Sequence, residues 1–401
     1  MKWQKVLLGN LVDEGSLDIL TGPFGTQLKA SDYTKIGTPV INVRNIGYGD
    51  LKPEKLEYVP EPVVQKLERH ILQKGDIVFA RKGAVDRHLL VEESQSGWMQ
   101  GSDCIRIRLS SRKVSHKFLS YSLRLESHKS WILNQCGNKA TMASLNQDVI
   151  RRVIVRLPNI DIQQEIVNIL SKYDDLIENN RRRIQLLERS LHLLYKEWFV
   201  HLRFPSHEHS KIVDGIPEGW EKVRLCEVAD TSMGQSPPSE SYNDNGIGLP
   251  FHQGVTNFGS RFPENKTYCT IESRIAEPND ILFSVRAPVG RINITLDKII
   301  IGRGLAAIRS KFSQQNFLFY QLKSHFFKED MIGGGAIFAA ITKKDLHNVE
   351  LVQPTHQLVQ MFTEYVTPID RQLENLYKAN IKLQQARDLL LPKLMSGAIS
   401  V

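Results

Sequence analysis

A stripe of apolar residues, spaced alternately by four and by three, runs through the middle of the chain and returns near its end. The first stripe extends from Ile166 to Trp198, and the second, displaced by 196 residues, extends from Phe362 to Leu394. A repeat of this kind, sustained over many turns, is typical of the buried seam of a coiled coil. The pattern predicts two helices of roughly 50 Å each, at 1.5 Å per residue.

The segments that precede the two stripes are also related to each other. The stretch Trp-x-x-Val-x-Leu at Trp3–Leu8 returns at Trp220–Leu225, and Asp-Ile-x-Phe at Asp76–Phe79 returns at Asp280–Phe283. The displacement falls from 217 to 204 and then to 196 in the helices, as expected from small deletions in the second copy. The sequence therefore predicts an internal duplication in the order globule, helix, globule, helix.

Short β-rich runs separated by glycine and proline indicate an α+β fold for each globule. One amphipathic helix is predicted at about His116–Leu133, and Asp161 is the expected N-terminal cap of the first long helix. We expect two similar mixed α/β domains, separated by two long helices that pair as an antiparallel coiled coil with pseudo-two-fold symmetry. The predicted segments are 1–157 (first domain), 158–203 (first long helix), 204–219 (linker), 220–353 (second domain) and 354–401 (second long helix).

Two asparagines interrupt the apolar stripes. Asn180 occupies a d position of the first stripe and Asn380 an a position of the second, and a layers face d layers in antiparallel coiled coils. Placing the two asparagines in one layer also places Trp198 opposite Phe362. A buried asparagine pair lowers stability but fixes register and orientation, so we predict that the pair sets the coiled-coil register. The alternative is that each asparagine is solvated at the edge of the seam.

Charge and cysteine content narrow the class of protein. The 401 residues include 52 Lys and Arg against 44 Asp and Glu, a net charge of +8, which favours a polyanionic partner without requiring one. The four cysteines lack the spacing of metal or redox sites. The histidines around 201–209 are interpreted as part of a solvated linker rather than as metal ligands. Without an apolar signal region or a long apolar run, the chain is expected to be cytoplasmic, with no membrane association and no bound metal.

Catalytic signatures are missing from both copies. The sequence contains no phosphate-binding Gly-x-x-x-x-Gly-Lys-Ser/Thr, no adenine-methylation motif of the Asn-Pro-Pro-Tyr type, no zinc spacing and no clear nuclease carboxylate cluster. Gly302-Arg303-Gly304 is too short for a dinucleotide-binding fingerprint. A duplicated chain of this kind is interpreted as a binding protein with no cofactor of its own.

Candidate contacts recur at matching places in the two globules. A strand with Asp-Ile-x-Phe is followed by a loop in which basic residues keep their spacing, which suits contacts to DNA phosphates or a guanine edge. The alternative is that these Lys and Arg side chains only lie at the surface of a hairpin and bind nothing. Two asparagines are candidates for binding adenine or for capping a turn, and glycine-initiated loops at 137–141 and 333–337 could approach a backbone closely. The candidate DNA contacts are Arg44, Asn45, Arg81, Lys82, Arg87, Lys139, Thr141, Gln253, Thr256, Asn257, Arg286 and Arg291.

The order of these features resembles the specificity (S) subunits of type I restriction-modification systems, over nearly the whole chain. The resemblance rests on the duplicated starts and Asp-Ile-x-Phe segments, together with Pro158–Ile166, the helix ending Leu194–Phe199 and the final Leu391–Gly397. The second helix departs from the pattern, because Pro354–Leu358 lacks the Glu-Ile that ends the corresponding stretch of the first.

The resemblance implies two target-recognition domains, each binding half of a bipartite site on double-stranded DNA. It also implies that the helices act as a spacer and dock two methyltransferase (M) subunits, which carry S-adenosylmethionine and methylate adenine, and that restriction (R) subunits join to cleave DNA. Two other interpretations stay open at this stage. One is a non-enzymatic scaffold whose globules bind proteins, and the other is a methyltransferase or nuclease with unrecognised motifs.

Overall fold

The chain folds as two compact units, one formed by residues 1–179 with 379–401 and the other by residues 180–378. The computed structural model describes residues 3–53, 55–137, 143–213, 215–326 and 340–401. Both units combine small β-sheets with helices, which confirms the α+β class. Each unit contains one globule and a part of both long helices.

The first unit begins with a globule of short strands and helices. Its strands are β1 (Gln4–Leu7), β2 (Leu17–Thr21), β3 (Thr38–Ile41), β4 (Tyr48–Gly49), β5 (Glu57–Val59), β6 (Ile77–Ala80), β7 (His88–Leu90), β8 (Met99–Gln100), β9 (Cys104–Leu109) and β10 (Ile154–Leu157). Its helices are α1 (Leu8–Asp13), α2 (Glu61–Lys66), α3 (His116–Leu123), α4 (Glu126–Cys136) and α5 (Gln147–Arg151). The first long helix, α6 (Ile160–Tyr195), follows and ends in a π-helical turn, Lys196–Val200.

The second unit repeats this order. Its strands are β11 (Ile212–Val213), β12 (Ile216–Pro217), β13 (Glu221–Arg224), β14 (Ala229–Met233), β15 (Tyr242–Asn243), β16 (Leu249–His252), β17 (Tyr268–Cys269), β18 (Ile275–Ala276), β19 (Ile281–Ser284), β20 (Ile292–Ile294), β21 (Ile299–Ile301), β22 (Leu305–Ser310) and β23 (Glu350–Gln353). Its helices are α7 (Leu225–Val228), α8 (Gln315–Phe326) and α9 (Lys343–His347). The second long helix is α10 (His356–Ser396).

The main sheets of the two units correspond, although the one in the first unit has an additional edge strand. The first unit contains a sheet of order β2-β9-β6-β7-β4, and the second contains one of order β14-β22-β19-β20. In both units the strand directly after the repeated tryptophan pairs with the strand that leads into the long helix, β1 with β10 and β13 with β23. The tryptophan itself packs against aromatic rings, Trp3 against Phe118 and Trp220 against Phe204. The duplication is therefore a repetition of fold as well as of sequence.

Within each unit the two long helices pack against each other and run antiparallel. In the first unit, Ile166 near the start of α6 shares a buried cluster with Leu394 near the end of α10. In the second unit, the ring centroids of Trp198, after the end of α6, and Phe362, near the start of α10, are 5.8 Å apart. The predicted layer of Trp198 and Phe362 is confirmed.

Of the two asparagines predicted to share a layer, Asn380 has a described hydrogen bond across the helix pair. Asn380 is buried, and its side-chain amide donates a hydrogen bond to the carbonyl oxygen of Ile177, at 3.3 Å. Asn180 is partly exposed and belongs to the other compact unit. The pairing of the two side chains stays a prediction.

Two local predictions were wrong. The single helix expected at about His116–Leu133 is two helices, because Leu125 between them adopts an extended backbone, with φ −59° and ψ 138°, and packs against the cluster at the long helices. The cap of α6 is Asn159 rather than Asp161, since the side chain of Asn159 accepts a hydrogen bond from the backbone N–H of Ile162, at 2.9 Å.

A buried histidine makes the first unit sensitive to pH. Burial lowers the pKa of His88 on β7 to about 3, with a further contribution from Arg124, and its Nε2 lies 3.0 Å from the hydroxyl of Ser120. An unfolded histidine titrates near pH 6.5, so below that pH the unfolded chain binds a proton that the folded unit excludes. The stability of this unit is therefore complete above about pH 6.5 and falls as the pH is lowered, by at most about 1.4 kcal/mol per pH unit for this group.

We expect the His88→Gln variant to lose this pH dependence between about pH 6.5 and pH 4. The measurement is the free energy of unfolding of the first unit, obtained by hydrogen exchange at several pH values. His116→Gln is the control: burial also lowers the pKa of His116, but this residue is only partly buried, so its replacement should change the pH slope less. An unchanged pH slope in His88→Gln would contradict the assignment.

Candidate nucleic-acid interface

The Asp-Ile-x-Phe motif begins with a buried aspartate that anchors the sheet. Asp76 is 1% exposed, and the guanidinium of Arg108 donates two hydrogen bonds to its two carboxylate oxygens, both at 2.7 Å. The backbone N–H of Gln73 donates a third, at 2.8 Å. Hydrogen bonding to Asp76 raises the pKa of Arg108. The aspartate therefore closes a turn and clamps β6 to β9.

The second unit repeats this arrangement. The guanidinium of Arg309 donates to both oxygens of Asp280, at 2.6 and 2.8 Å, and the backbone N–H of Glu277 donates at 2.9 Å. The Ile and Phe of the motif are buried in both copies. Sequence reasoning missed the arginine partners, although both follow an isoleucine in the last strand of the sheet and keep nearly the same displacement as the aspartates.

The basic half of the motif lies in the hairpin loop beyond the buried strand, as predicted. In the first unit, Lys82 makes an exposed ion pair with Asp103, at 3.0 Å, and Arg87 is half-buried. In the second unit, Arg286 and Arg291 are both exposed. The four cations thus follow strands whose anchoring aspartates are already neutralised by other arginines.

The hairpin of the second unit adjoins a second candidate residue through a glycine. Gly304 accepts a hydrogen bond from the backbone N–H of Val285, at 2.9 Å, and donates one to the carbonyl oxygen of Gln253, at 3.1 Å. The Gln253 side chain is exposed and accepts a hydrogen bond from the hydroxyl of Ser236, at 2.8 Å. A Cβ atom at Gly302 would meet the Gln253 side chain at 2.7 Å, so the Gly-x-Gly stretch permits this close approach.

In the first unit the corresponding hairpin lies beside a further segment. The backbone N–H of Arg81 donates to the carbonyl oxygen of Asp103, at 2.8 Å, and Lys82 forms an antiparallel bridge with Ser144. Arg286 forms the equivalent bridge with Ala340 in the second unit. Ser144 and Ala340 follow the two glycine-initiated segments in the sequence. Lys139 and Thr141, and the segment 333–337, lie outside the described residues.

The asparagine candidates of the two units differ in burial. Asn45 is fully buried; its side-chain oxygen accepts a hydrogen bond from the backbone N–H of Asn42, at 3.1 Å, and its amide donates to the carbonyl oxygen of Lys52, at 3.0 Å. A buried side chain with these bonds cannot meet a base edge, so Asn45 holds a turn, and its selection as a DNA contact is corrected. Arg44 pairs with Glu57, at 2.8 Å, and remains about half exposed.

Thr256 and Asn257 occupy the corresponding turn of the second unit. Thr256 is exposed, and Asn257 is partly exposed, with its backbone carbonyl oxygen accepting a hydrogen bond from the N–H of Glu264 at 2.9 Å. Unlike Asn45, Asn257 therefore keeps part of its side chain at the surface. Both residues stay candidates.

An aromatic ring flanked by cations appears beside the first hairpin. Tyr48 is 43% exposed and pairs with His88 across β4 and β7, which places it next to Arg87. The guanidinium carbon of Arg87 lies 5.4 Å from the centroid of the Tyr48 ring, and Nζ of Lys129 lies 5.2 Å from it. An exposed aromatic ring with neighbouring cations is a common composition of nucleic-acid contacts. Sequence reasoning missed Tyr48 and Lys129, because only the sheet pairing brings them to the loop.

Other kinds of site find no support in the described residues. Within the described ranges, no three His, Cys, Asp or Glu side chains come together as metal ligands would. Among the described helices, none combines the length and the apolar character that a membrane crossing needs.

Comparisons with known proteins agree with this arrangement of paired domains and helices. A family model described as the type I restriction modification DNA specificity domain matches residues 19–189 and 217–385. A putative type I restriction enzyme MjaX specificity subunit from Methanocaldococcus jannaschii is 32% identical over 375 residues, covering 92% of this chain and 88% of the relative. The type I restriction enzyme HindI specificity subunit from Haemophilus influenzae is 21% identical over 436 residues, covering 89% of this chain and 94% of the relative.

Solved structures are similar along the length of the chain. The type I restriction-modification system S subunit from M. genitalium, at 18% identity, covers 98% of this chain and 96% of its own, with a TM-score of 0.55, which is a likeness of fold. The HsdS subunit from Thermoanaerobacter tengcongensis, at 27% identity, covers 99% of this chain and 97% of its own, with a TM-score of 0.37. Since the family model matches both halves and well over half of the residues, the chain belongs to the type I restriction-modification DNA specificity family.

Proposed function

We propose that each globular domain reads one half of a bipartite, asymmetric DNA site and that the two long helices dock two methyltransferase subunits. As a type I specificity subunit, the chain recognises DNA with two domains. In this proposal methylation and cleavage belong to the partner subunits, with S-adenosylmethionine bound by the methyltransferases and restriction subunits joining the complex.

The observation that carries the proposal is the duplicated basic hairpin. In both units the aspartate of the motif is buried and paired, whereas basic side chains in the loop after the same strand reach solvent. Buried ion pairs are needed for the fold, but exposed cations at a repeated position, Lys82 and Arg286, are not. Exposed Arg and Lys side chains on a rigid hairpin can contact phosphates or the guanine edge.

Unlike loops in the two domains support an asymmetric site. Lys82 in the first hairpin corresponds to Arg286 in the second, and Tyr48 beside the first corresponds to Ser260. Since the two domains present different side chains on the same frame, they would read different bases.

Exposed leucines at equivalent places support two docking sites. Leu193 on α6 is 49% exposed and Leu389 on α10 is 67% exposed, and they are 196 residues apart, the displacement of the helix repeat. Each unit presents one of them. Apolar side chains left on the outer face of a helix favour a protein partner, and two equivalent positions favour two copies of it.

The proposal is tested by expressing the chain together with the methyltransferase gene that neighbours it and mapping methylated adenines across the genome. The expected motif has two unlike blocks of defined bases separated by a gap of fixed length. A continuous motif, a palindromic motif or no methylation would contradict the proposal. Purified chain without a methyltransferase is expected to transfer no methyl groups.

Removal of the two arginines of the second hairpin should weaken only one half-site. We expect the double variant Arg286→Ala, Arg291→Ala to lower the affinity of the complex for its site about 10- to 100-fold, since one good base contact contributes about 1–3 kcal/mol. The bases of the block read by the second domain should become less defined, and the other block should not change. Affinity is measured by titration of labelled duplex, and the motif by the methylation map.

A matched control removes two positive charges from the same unit elsewhere. Lys311 lies at the opposite end of β22 from the hairpin loop, and Lys222 lies in β13, outside that sheet. The double variant Lys222→Ala, Lys311→Ala should change affinity by less than the hairpin variant and leave the motif unchanged. Equal losses in both variants would mean that only total charge matters. If the arginines contact phosphates instead, each removal reduces the slope of log affinity against log salt by about 0.9 and leaves the motif intact.

A further inference from the structure

Each long helix carries one aspartate that is bonded to the globule of its own unit. Asp174 on α6 and Asp370 on α10 are 196 residues apart, so they occupy the same place in the helix repeat. Their side chains are 27% and 12% exposed. A carboxylate in such a position needs hydrogen-bond donors and a cation, and both aspartates have them.

In the first unit, the donors come from the end of α3 and from the second long helix. The hydroxyl of Tyr121 donates to Oδ2 of Asp174 at 2.7 Å, and the guanidinium of Arg124 donates to the same oxygen at 3.0 Å. Nη1 of Arg387 on α10, a residue at a stripe position of the second helix, donates to Oδ1 at 2.6 Å. Burial raises the pKa of Asp174, but Arg124 and Arg387 outweigh it and hold the pKa below its ordinary value.

In the second unit, an equivalent tyrosine is joined by an arginine from a different segment. The hydroxyl of Tyr320, which corresponds to Tyr121, donates to Oδ1 of Asp370 at 2.8 Å. The guanidinium of Arg261 donates to the same oxygen at 2.6 Å and to the Tyr320 hydroxyl at 3.0 Å. Arg261 lies in the loop after the turn at Asn257, not in α8.

Arg124 in the first unit and Arg261 in the second fill equivalent space, although they come from different segments. By sequence, Arg261 corresponds to Gly49, and Arg124 corresponds to Lys323. In the first unit, a Cβ atom at Gly49 would lie 2.2 Å from the guanidinium of Arg124. The guanidinium from the helix thus fills the space that a side chain from the loop enters in the second unit. Where the loop supplies the arginine, the helix position is a lysine, and burial lowers the pKa of Lys323.

The two units form the same aspartate contact with arginines from different segments, which indicates that the contact has a role of its own. The rings of Tyr121 and Tyr320 belong to the apolar clusters of their units, but a phenylalanine ring would fill the same space. The hydroxyl and the guanidinium are therefore present for the helix aspartate and not for the apolar core. A guanidinium and a phenol that share one carboxylate restrict the direction in which the globule meets the helix. The hairpin loops belong to the same globules, so this direction also sets where each hairpin lies relative to its helix.

We propose that Asp174 with Tyr121 and Arg124, and Asp370 with Tyr320 and Arg261, are positioning residues that set the orientation of each recognition domain on its helix and thereby the length of the gap between the two half-sites. The inference rests on the proposed function. It assigns these residues no contact with DNA.

The test uses the complex of the chain with its methyltransferase and duplexes whose gap is native, one base pair shorter or one base pair longer. We expect Tyr320→Phe and Arg261→Gly each to reduce the preference for the native gap about tenfold, the effect of losing one hydrogen bond to a charged group. The bases of both half-sites should stay as in the unmodified complex. Methylation maps should then show sites with altered gaps.

The exchange of arginines supplies a rescue variant. Adding Lys323→Arg to Arg261→Gly recreates the arrangement of the first unit in the second, and it should restore the strict gap. Tyr242→Phe is the control, because its hydroxyl donates to the carbonyl oxygen of Pro237 within the globule, at 2.8 Å, and does not reach a long helix. This variant should keep the native gap preference.

The outcomes separate this inference from the proposed function. A strict gap in both Tyr320→Phe and Arg261→Gly, or a failure of Lys323→Arg to restore it, would overturn the positioning role. Changed half-site bases with an unchanged gap would also overturn it. Absence of a bipartite motif in the unmodified complex would instead refute the proposed function.

Discussion

Replacing Asp76 by alanine is expected to lower the free energy of unfolding of the first unit by about 3 kcal/mol or more. The carboxylate is 1% exposed, and its removal takes away the acceptor of the Gln73 N–H. The guanidinium of Arg108 loses both bonds to Asp76 and keeps the one to the carbonyl oxygen of Ile71. Breaking a buried ion pair costs about 3–5 kcal/mol, and the lower end applies because the Arg108 side chain is 28% exposed. Hydrogen exchange across a denaturant series measures this loss unit by unit.

Two further variants serve as comparisons for Asp76→Ala. Glu93→Ala removes the partner of Lys74, an ion pair whose side chains are 78% and 54% exposed, and should destabilise the unit far less than Asp76→Ala, because water screens exposed charges. Asp280→Ala removes the equivalent buried anchor in the second unit and should destabilise that unit. A small effect of Asp76→Ala, similar to that of Glu93→Ala, would show that the motif aspartate does not anchor the sheet.

Replacing Phe362 by alanine is expected to destabilise the second unit by about 3–5 kcal/mol. Phe362 is fully buried near the start of α10, and its ring centroid lies within 6.1 Å of five other aromatic rings. The loss combines the transfer free energy of the ring with the cavity that the neighbouring rings cannot fill. Denaturant unfolding followed by tryptophan fluorescence measures it, because Trp198 contacts Phe362 directly.

Tyr365→Ala is the matched control for Phe362→Ala. Tyr365 lies one turn further along α10 and also contacts Trp198, with ring centroids 5.8 Å apart, but it is 60% exposed. We expect a loss below about 1 kcal/mol, since most of its surface is already in water. If both variants unfolded at the same denaturant concentration, the packing of the helix ends in the second unit would not depend on Phe362.

Much of the fold follows from patterns that are local or repeated. The apolar stripes specify two long amphipathic helices, because a 4-3 spacing places its residues on one helix face. The short β-rich runs separated by glycine and proline predict α+β globules. The matching segments keep their order while their displacement falls steadily, which predicts the duplication. The layer of Trp198 and Phe362 was predicted from the asparagine register, because placing Asn180 opposite Asn380 matches the two apolar stripes end to end.

The candidate site was only partly predictable. Repetition identified the exposed cations of the hairpins, but it also selected Asn45, which is buried in a turn. The same residue type serves a base contact or a turn, and only the position of the surrounding backbone distinguishes the two. Tyr48 was missed because nothing near it in the sequence indicates that β4 pairs beside Arg87.

Local sequence was thus enough for the two long helices, for the α+β class of the globules and for the repeat, because periodicity and duplication are properties of the chain that packing does not alter. Tertiary structure decided the partners of charged side chains. Asp76 finds Arg108, and Asp370 finds Arg261, across 32 and 109 residues. Such pairs depend on which loops meet in space, and the exchange of Arg124 for Arg261 shows that the same contact can arise from different places in the sequence.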